Sequence, residues 1–136
     1  MSSQSRSLQR PLAVMMRRTL RTVSPDATLS EAARLMRDGK VGALLVYEAE
    51  HYSGIVSESD LVRKGMAESC SAQEMLVRAV MSSPLLSIDI ARSAHEASEK
   101  MAEHGIRHLA ISQEGRIVGI ISVRDLLHYF KNWGGL

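Results

Sequence analysis

The chain has 136 residues, 45% of them apolar, with 17 Lys and Arg against 15 Asp and Glu and a formal charge of +2. That length suits one compact domain or two halves sharing a core, and so small a net charge argues against a dedicated nucleic-acid binder. A single cysteine, Cys70, leaves no disulfide framework or cysteine-based metal cluster to consider. No run approaches the roughly 20 apolar residues of a bilayer span, so a soluble, cytoplasmic protein is expected.

The first stretch, residues 1–13, reads as a flexible arm. Five Arg (Arg6, Arg10, Arg17, Arg18 and Arg21) precede the first acid, Asp26, which gives this end some affinity for phosphate or anionic lipid. Residues 14–68 form a first repeat. An extended piece over Arg21 to Ser24 leads to a helix over Leu29 to Asp38, indicated by the spacing of Leu29, Ala32, Ala33 and Met36. Thr28-x-x-Glu31 has the form of a capping box at its start, and Gly39 stands where the helix should stop. Strands over Val41 to Tyr47 and Tyr52 to Val56 flank the polar turn Glu48 to His51, and a second helix starts at Ser57, carrying Leu61, Val62 and Met66. Residues 69–79 are a linker, partly helical around Glu74 to Val80.

Residues 80–136 repeat the whole order. Gly54-Ile55-Val56-Ser57-Glu58-Ser59-Asp60-Leu61 returns as Gly119-Ile120-Ile121-Ser122-Val123-Arg124-Asp125-Leu126, an offset of 125 − 60 = 65. At that offset Met16 falls on Met81, Leu20 on Leu85, Glu31 on Glu96, Met36 on Met101 and Leu44 on Leu109, without a gap. The second repeat therefore predicts an extended piece over Leu86 to Asp89 and a helix over Ala94 to His104, capped by Ser93-x-x-Glu96 and stopped at Gly105. Strands follow over Ile106 to Ser112 and Arg116 to Ile121, and a last helix starts at Ser122.

The duplicated Gly-h-h-Ser-x-x-Asp turn (h, apolar) brings a helix start directly off a strand. Unpaired amides there favour anions, Ser57 and Ser122 add hydroxyls, and Asp60 and Asp125 can accept from two ribose hydroxyls. Ser-x-x-Asp is equally a capping box, and the two uses are compatible because a carboxylate has two oxygens. The second turn is the more basic, with Arg107, His108 and Arg124 where the first has Gly42, Ala43 and Ser59. It should favour the more highly charged ligand. Other constellations are weak. His104 and His108 have metal-pair spacing but Gly105 intervenes, Cys70 has nothing beside it to lower its pKa, and no hydrolase elbow surrounds either serine.

The order strand, helix, hairpin, Gly-h-h-Ser-x-x-Asp-Leu, twice over Met15 to about Phe130, resembles a Bateman module of two cystathionine-beta-synthase-type (CBS) domains. Val14-Met15 and Val80-Met81 at the repeat starts, Val23 to Leu29 before the first helix, and Ile106-Arg107-His108-Leu109 strengthen the likeness. The resemblance implies an α+β fold of two pseudo-symmetric βαββα repeats packed sheet to sheet, with an adenine nucleotide (AMP, ADP, ATP or a related adenosyl ligand) in the cleft between them. It implies that adenine is held by Val41, Gly42, Ala43, Ile106, Arg107 and His108 together with Thr22 or Ser87. It also implies a regulatory module rather than an enzyme, with no resident cofactor, a homodimer, and a regulated partner protein. Leu35, Met36, Met66, Met101 and Phe130 are candidates for the dimer face. A ligand-free scaffold module is the alternative, and RNA binding through Arg107, Arg116, Arg124 and the N-terminal arginines a weaker one.

Overall fold

The structure, a computed structural model, describes residues 11–68 and 71–132. Arg6, Arg10 and Cys70 lie outside them. In chain order the main elements are β1 (Thr22–Val23), α1 (Leu29–Gly39), β2 (Ala43–Glu48), β3 (His51–Ser57) and α2 (Glu58–Asp60). The second set is β4 (Ser87–Asp89), α3 (Ala94–His104), β5 (His108–Gln113), β6 (Arg116–Ser122) and α4 (Val123–Asn132). The fold is α+β, with two three-stranded sheets ordered β1-β2-β3 and β4-β5-β6. In each, the first pair is parallel and the second an antiparallel hairpin.

The 65-residue offset runs through the backbone. Helices α1 and α3 start at 29 and 94, and β2 and β5 at 43 and 108. Even the register irregularity recurs, at Val46/Tyr47 and at Ile111/Ser112. The helix starts follow the polar residues in front of them. Thr28 accepts from the Glu31 amide, and at Ser93 and Glu96 both halves of the capping box form. Each helix then buries one stripe, Leu29, Ala32 and Met36 or Ala94, Ala97 and Met101, against its own sheet. Met36 and Met101 are thus core residues at 4% and 1% exposure, which removes them from the expected dimer face.

One stop signal differs from expectation. Gly39 remains inside α1, and Lys40 takes the left-handed turn at φ 54°. Its counterpart across the repeat, Gly105, does the same at φ 63°. A Cβ at Gly39 would stand 2.8 Å from Arg21 Cδ, part of a flexible side chain that can move aside. The helix after β3 also departs from a plain α-helix. It passes from α2 into a π turn over Leu61–Gly65 and a 3-10 turn over Met66–Glu68, whereas α4 continues to Asn132.

The chain divides into two compact units that cut across the repeats. Arg21–Leu85 makes one, and residues from Leu86 onward join the described N-terminal residues up to Leu20 in the other. Each repeat's leading segment belongs to the unit containing the other repeat's sheet. Leu12, assigned from sequence to the arm, is fully buried with Met15 and Met16 in the core of the second unit. Val77 and Val80 are buried in the first.

The leading segments are tied down by backbone. Arg17 and Ile120 exchange two hydrogen bonds, of 2.8 and 3.0 Å, as do Ser82 and Ile55, of 2.9 and 3.0 Å. The linker also serves the first unit, because Met75 and Ala72 carbonyls accept from the Leu29 and Ser30 amides, which the helix itself leaves unpaired. These crossings explain the glycine of the repeated motif. A Cβ on Gly54 would lie 2.3 Å from the Ser82 carbonyl oxygen, and one on Gly119 3.0 Å from that of Arg17 and 2.5 Å from Met16 Sδ.

Gly54→Ala must push backbone aside, whereas Gly119→Ala meets mainly a flexible methionine tip. Urea denaturation should show Gly54→Ala destabilising by about 1–3 kcal/mol, the overpacking range, and Gly119→Ala by less. A neutral Gly54→Ala would contradict the close crossing.

Candidate functional site

The end of each sheet where β2 or β5 begins gathers the residues singled out in the sequence. In the first unit Ala43 pairs with Ser57, the Gly42 carbonyl accepts from the Glu58 amide at 2.9 Å, and the Arg21 carbonyl accepts from Leu45. Thr22, on β1 opposite Leu45, stands at this same end. Val41 and Gly42 just precede β2 and are half-buried, while Ser59 is exposed within α2. In the second unit His108 pairs with Ser122, the Arg107 carbonyl accepts from Val123 at 2.9 Å, and Ser87 is paired with Ala110. Ile106 and Arg107 lead into β5, and exposed Arg124 is the second residue of α4. Three strands thus bring each predicted set together from separate stretches of chain.

At both turns the acid closes a capping box. Ser57 N–H donates to Asp60 Oδ2 at 2.9 Å, and the Asp60 amide donates to Ser57 Oγ at 3.2 Å. Ser122 and Asp125 make the same pair at 2.9 and 3.1 Å. With Glu58 and Val123 bonded back to the strand, most of the helix-start amides invoked for phosphate already have partners. The anion attraction expected of these turns is correspondingly reduced, and the side chains must supply more of it.

Each carboxylate keeps its second oxygen out of the cap and beside a cation. Asp60 Oδ1 lies 3.1 Å from Lys64 Nζ, and Asp125 Oδ1 lies 3.4 Å from Arg17 Nε. Both aspartate side chains are only 13% exposed. Sequence reasoning missed these two cations. Lys64 was legible as an acid-to-base i,i+4 pair. Arg17 was not, because its seat beside Asp125 depends on the leading segment pairing with β6, over a hundred residues later.

The remaining candidates separate. His104 caps the last turn of α3, its Nδ1 2.9 Å from the Lys100 carbonyl, whereas His108 opens β5. Among the described residues no three His, Cys, Asp or Glu side chains cluster as metal ligands, and no helix is long and apolar enough to cross a membrane. Of the arginines assigned to the arm region, Arg17 is engaged with Asp125 and Arg18 reaches the Ala13 carbonyl at 3.5 Å.

A duplicated α+β unit with a capped Ser-x-x-Asp turn at the end of each sheet defines the class of module. The family model for the CBS domain matches residues 12–67 and again 77–132, and the chain belongs to the CBS domain family as a tandem pair. CBS pairs are in general regulatory, ligand-binding modules. The chain is 38% identical over 105 residues to the CBS domain-containing protein YhcV of Bacillus subtilis, covering 77% of this chain and 74% of that one. It is 34% identical over 113 residues to an uncharacterized protein of Methanopyrus kandleri, covering 82% of this chain but only 58% of that protein's length. A crystal structure of an uncharacterized conserved protein from Pyrococcus horikoshii matches with a TM-score of 0.82 at 33% identity, over 89% of this chain and 92% of that one.

The caps have a measurable weight of their own. Ser57→Ala and Ser122→Ala should each lower unfolding free energy by about 1 kcal/mol, read from denaturant titration without ligand. An unchanged midpoint for both would mean that the hydroxyls do not hold the helix starts.

Proposed function

We propose that each Ser-x-x-Asp turn holds the ribose of an adenine nucleotide or a related adenosyl ligand, which makes the chain a nucleotide-responsive regulatory module. The observation that carries this reading is the division of labour within each carboxylate. Oδ2 closes the cap, and Oδ1 is left in a largely buried position beside a cation. A pair of ribose hydroxyls offers donors that can take the cation's place at this oxygen, and the resemblance to nucleotide-binding CBS pairs supplies the adenine. Thr22, Val41, Gly42, Ala43 and Ser59 serve the first site. Ser87, Ile106, Arg107, His108 and Arg124 serve the second, where the added cations favour more phosphates.

The competing reading is a ligand-free scaffold module. The complete capping boxes favour it, since they give one oxygen of each aspartate a role without a ligand. Thermal shift with AMP, ADP, ATP, S-adenosylmethionine and NAD separates the two. A ligand at 100 times its Kd should stabilise the fold by about 2.7 kcal/mol. Asp60→Ala with Asp125→Ala should weaken adenosine by about 1.5–3 kcal/mol per site and leave 2′,3′-dideoxyadenosine unaffected. A double variant that binds adenosine like the parent would reduce the carboxylates to caps.

We further propose self-association as a homodimer, with regulation passed to a partner protein. The first unit carries Leu35, Val62 and Met66 at 44, 54 and 68% exposure on its helical segments. Such apolar exposure is commonly covered in small domains by a second copy. Met66→Lys should shift the sedimentation coefficient toward that of a monomer, and an unchanged value would remove this face from the interface.

A further inference from the structure

The two turns match in backbone, yet their cations come from different places. Lys64 lies one helical turn beyond Asp60 and also donates to the Val80 carbonyl at 3.3 Å. Two acceptors therefore hold its ammonium. Its counterpart at the 65-residue offset is Tyr129 (129 − 64 = 65), an aromatic residue only 8% exposed in the second core. The second site has no cation of its own at that position. It receives Arg17 from the leading segment, whose own counterpart is Ser82 (82 − 17 = 65).

Arg17 is anchored at its root and loosely held at its tip. Its backbone exchanges two hydrogen bonds with Ile120, while the side chain is 52% exposed and meets Asp125 through Nε at 3.4 Å. A charge-assisted bond of good geometry is several tenths of an ångström shorter. So long and exposed a contact is easily exchanged for another.

Resting on the nucleotide reading, we propose that Arg17 sets the phosphate preference of the Asp125 site by exchanging partners. With the site empty it neutralises Asp125. When ribose hydroxyls donate to Asp125 Oδ1, the guanidinium passes to the phosphate chain of the same ligand. A carboxylate otherwise repels a phosphate placed near it, and Arg17 removes that repulsion before binding and adds bidentate donors after it. No bond is made or broken and no proton moves. The benefit grows with the number of ligand phosphates. At the first site Lys64 is held by Asp60 and Val80 together, so the same exchange is not built in there.

The test uses the Asp60→Ala protein, in which the first site is weakened and the second dominates the titration, with adenosine, AMP and ATP titrated calorimetrically at low salt. Arg17→Gln should weaken ATP about five- to tenfold, AMP by less, and adenosine by less than about twofold. Arg17→Lys should recover part of the ATP loss, since a point charge replaces the fork. Equal losses for all three ligands would show that Arg17 only positions Asp125, and no loss for any would make the ion pair a bystander. Either result overturns the proposal while leaving the nucleotide reading in place. If the Asp60→Ala protein with Arg17 intact binds none of the three, the nucleotide reading of this site fails, and the role of Arg17 fails with it. Thermal melting of each variant shows that the fold is retained.

Discussion

Where the Ser82 carbonyl crosses β3 at Gly54, the two backbones come too close for any Cβ between them, and where the Arg17 carbonyl crosses β6 at Gly119, a Cβ would stand 3.0 Å from that carbonyl and 2.5 Å from Met16 Sδ. Much else follows from those crossings. They seat Val77 and Val80 in one core and Leu12, Met15 and Met16 in the other. They also place the last strand of each sheet so that it runs straight into the Ser-x-x-Asp turn. The motif's glycine is therefore explained by packing, before any ligand is considered. Its aspartate is half explained in the same way, since one oxygen closes the cap.

What remains for function is the other half of each aspartate. Burial to 13% exposure makes an unsatisfied carboxylate oxygen costly, and each turn meets that need with a nearby cation. The means differ because the repeats diverged at two positions. Lys64 of the first repeat corresponds to Tyr129 of the second, and Arg17 of the first to Ser82 of the second, so each compact unit holds one residue from each exchange. Equivalent backbones thus carry inequivalent electrostatics, a common outcome when a duplicated unit keeps its fold and its sites drift.

Much of this architecture was legible in the residues. The ungapped offset placed every main element, because helix caps and strand alternation are local and recur in both halves. The family followed from the order of its motifs, and the structure brings Ala43 beside Ser57 and His108 beside Ser122 as that order implied. The misreadings have physical causes. Gly39 was assigned the helix stop on residue type, although aligning Lys40 with Gly105 marks the left-handed position. Met36 and Met101 were placed on a dimer face, although their spacing suits the core equally well. Arg17 escaped notice because its partner is distant in sequence, and periodicity carries no information about such pairings.

The exchange of leading segments also bears on the order in which the chain can assemble. The first unit is continuous, and Ser82 finds Ile55 only 82 − 55 = 27 residues back. Arg17 must wait for Ile120, 120 − 17 = 103 residues ahead, so it leaves the ribosome long before its partner exists. Closing so long a loop carries a larger entropic cost and slows folding. Vectorial synthesis therefore lets Arg21–Leu85 close early, while Leu12, Met15 and Met16 stay apolar and unsheltered until β6 has been made. The strand that completes the second unit is the same one that ends in Ser122 and leads to Asp125, so its site is assembled last.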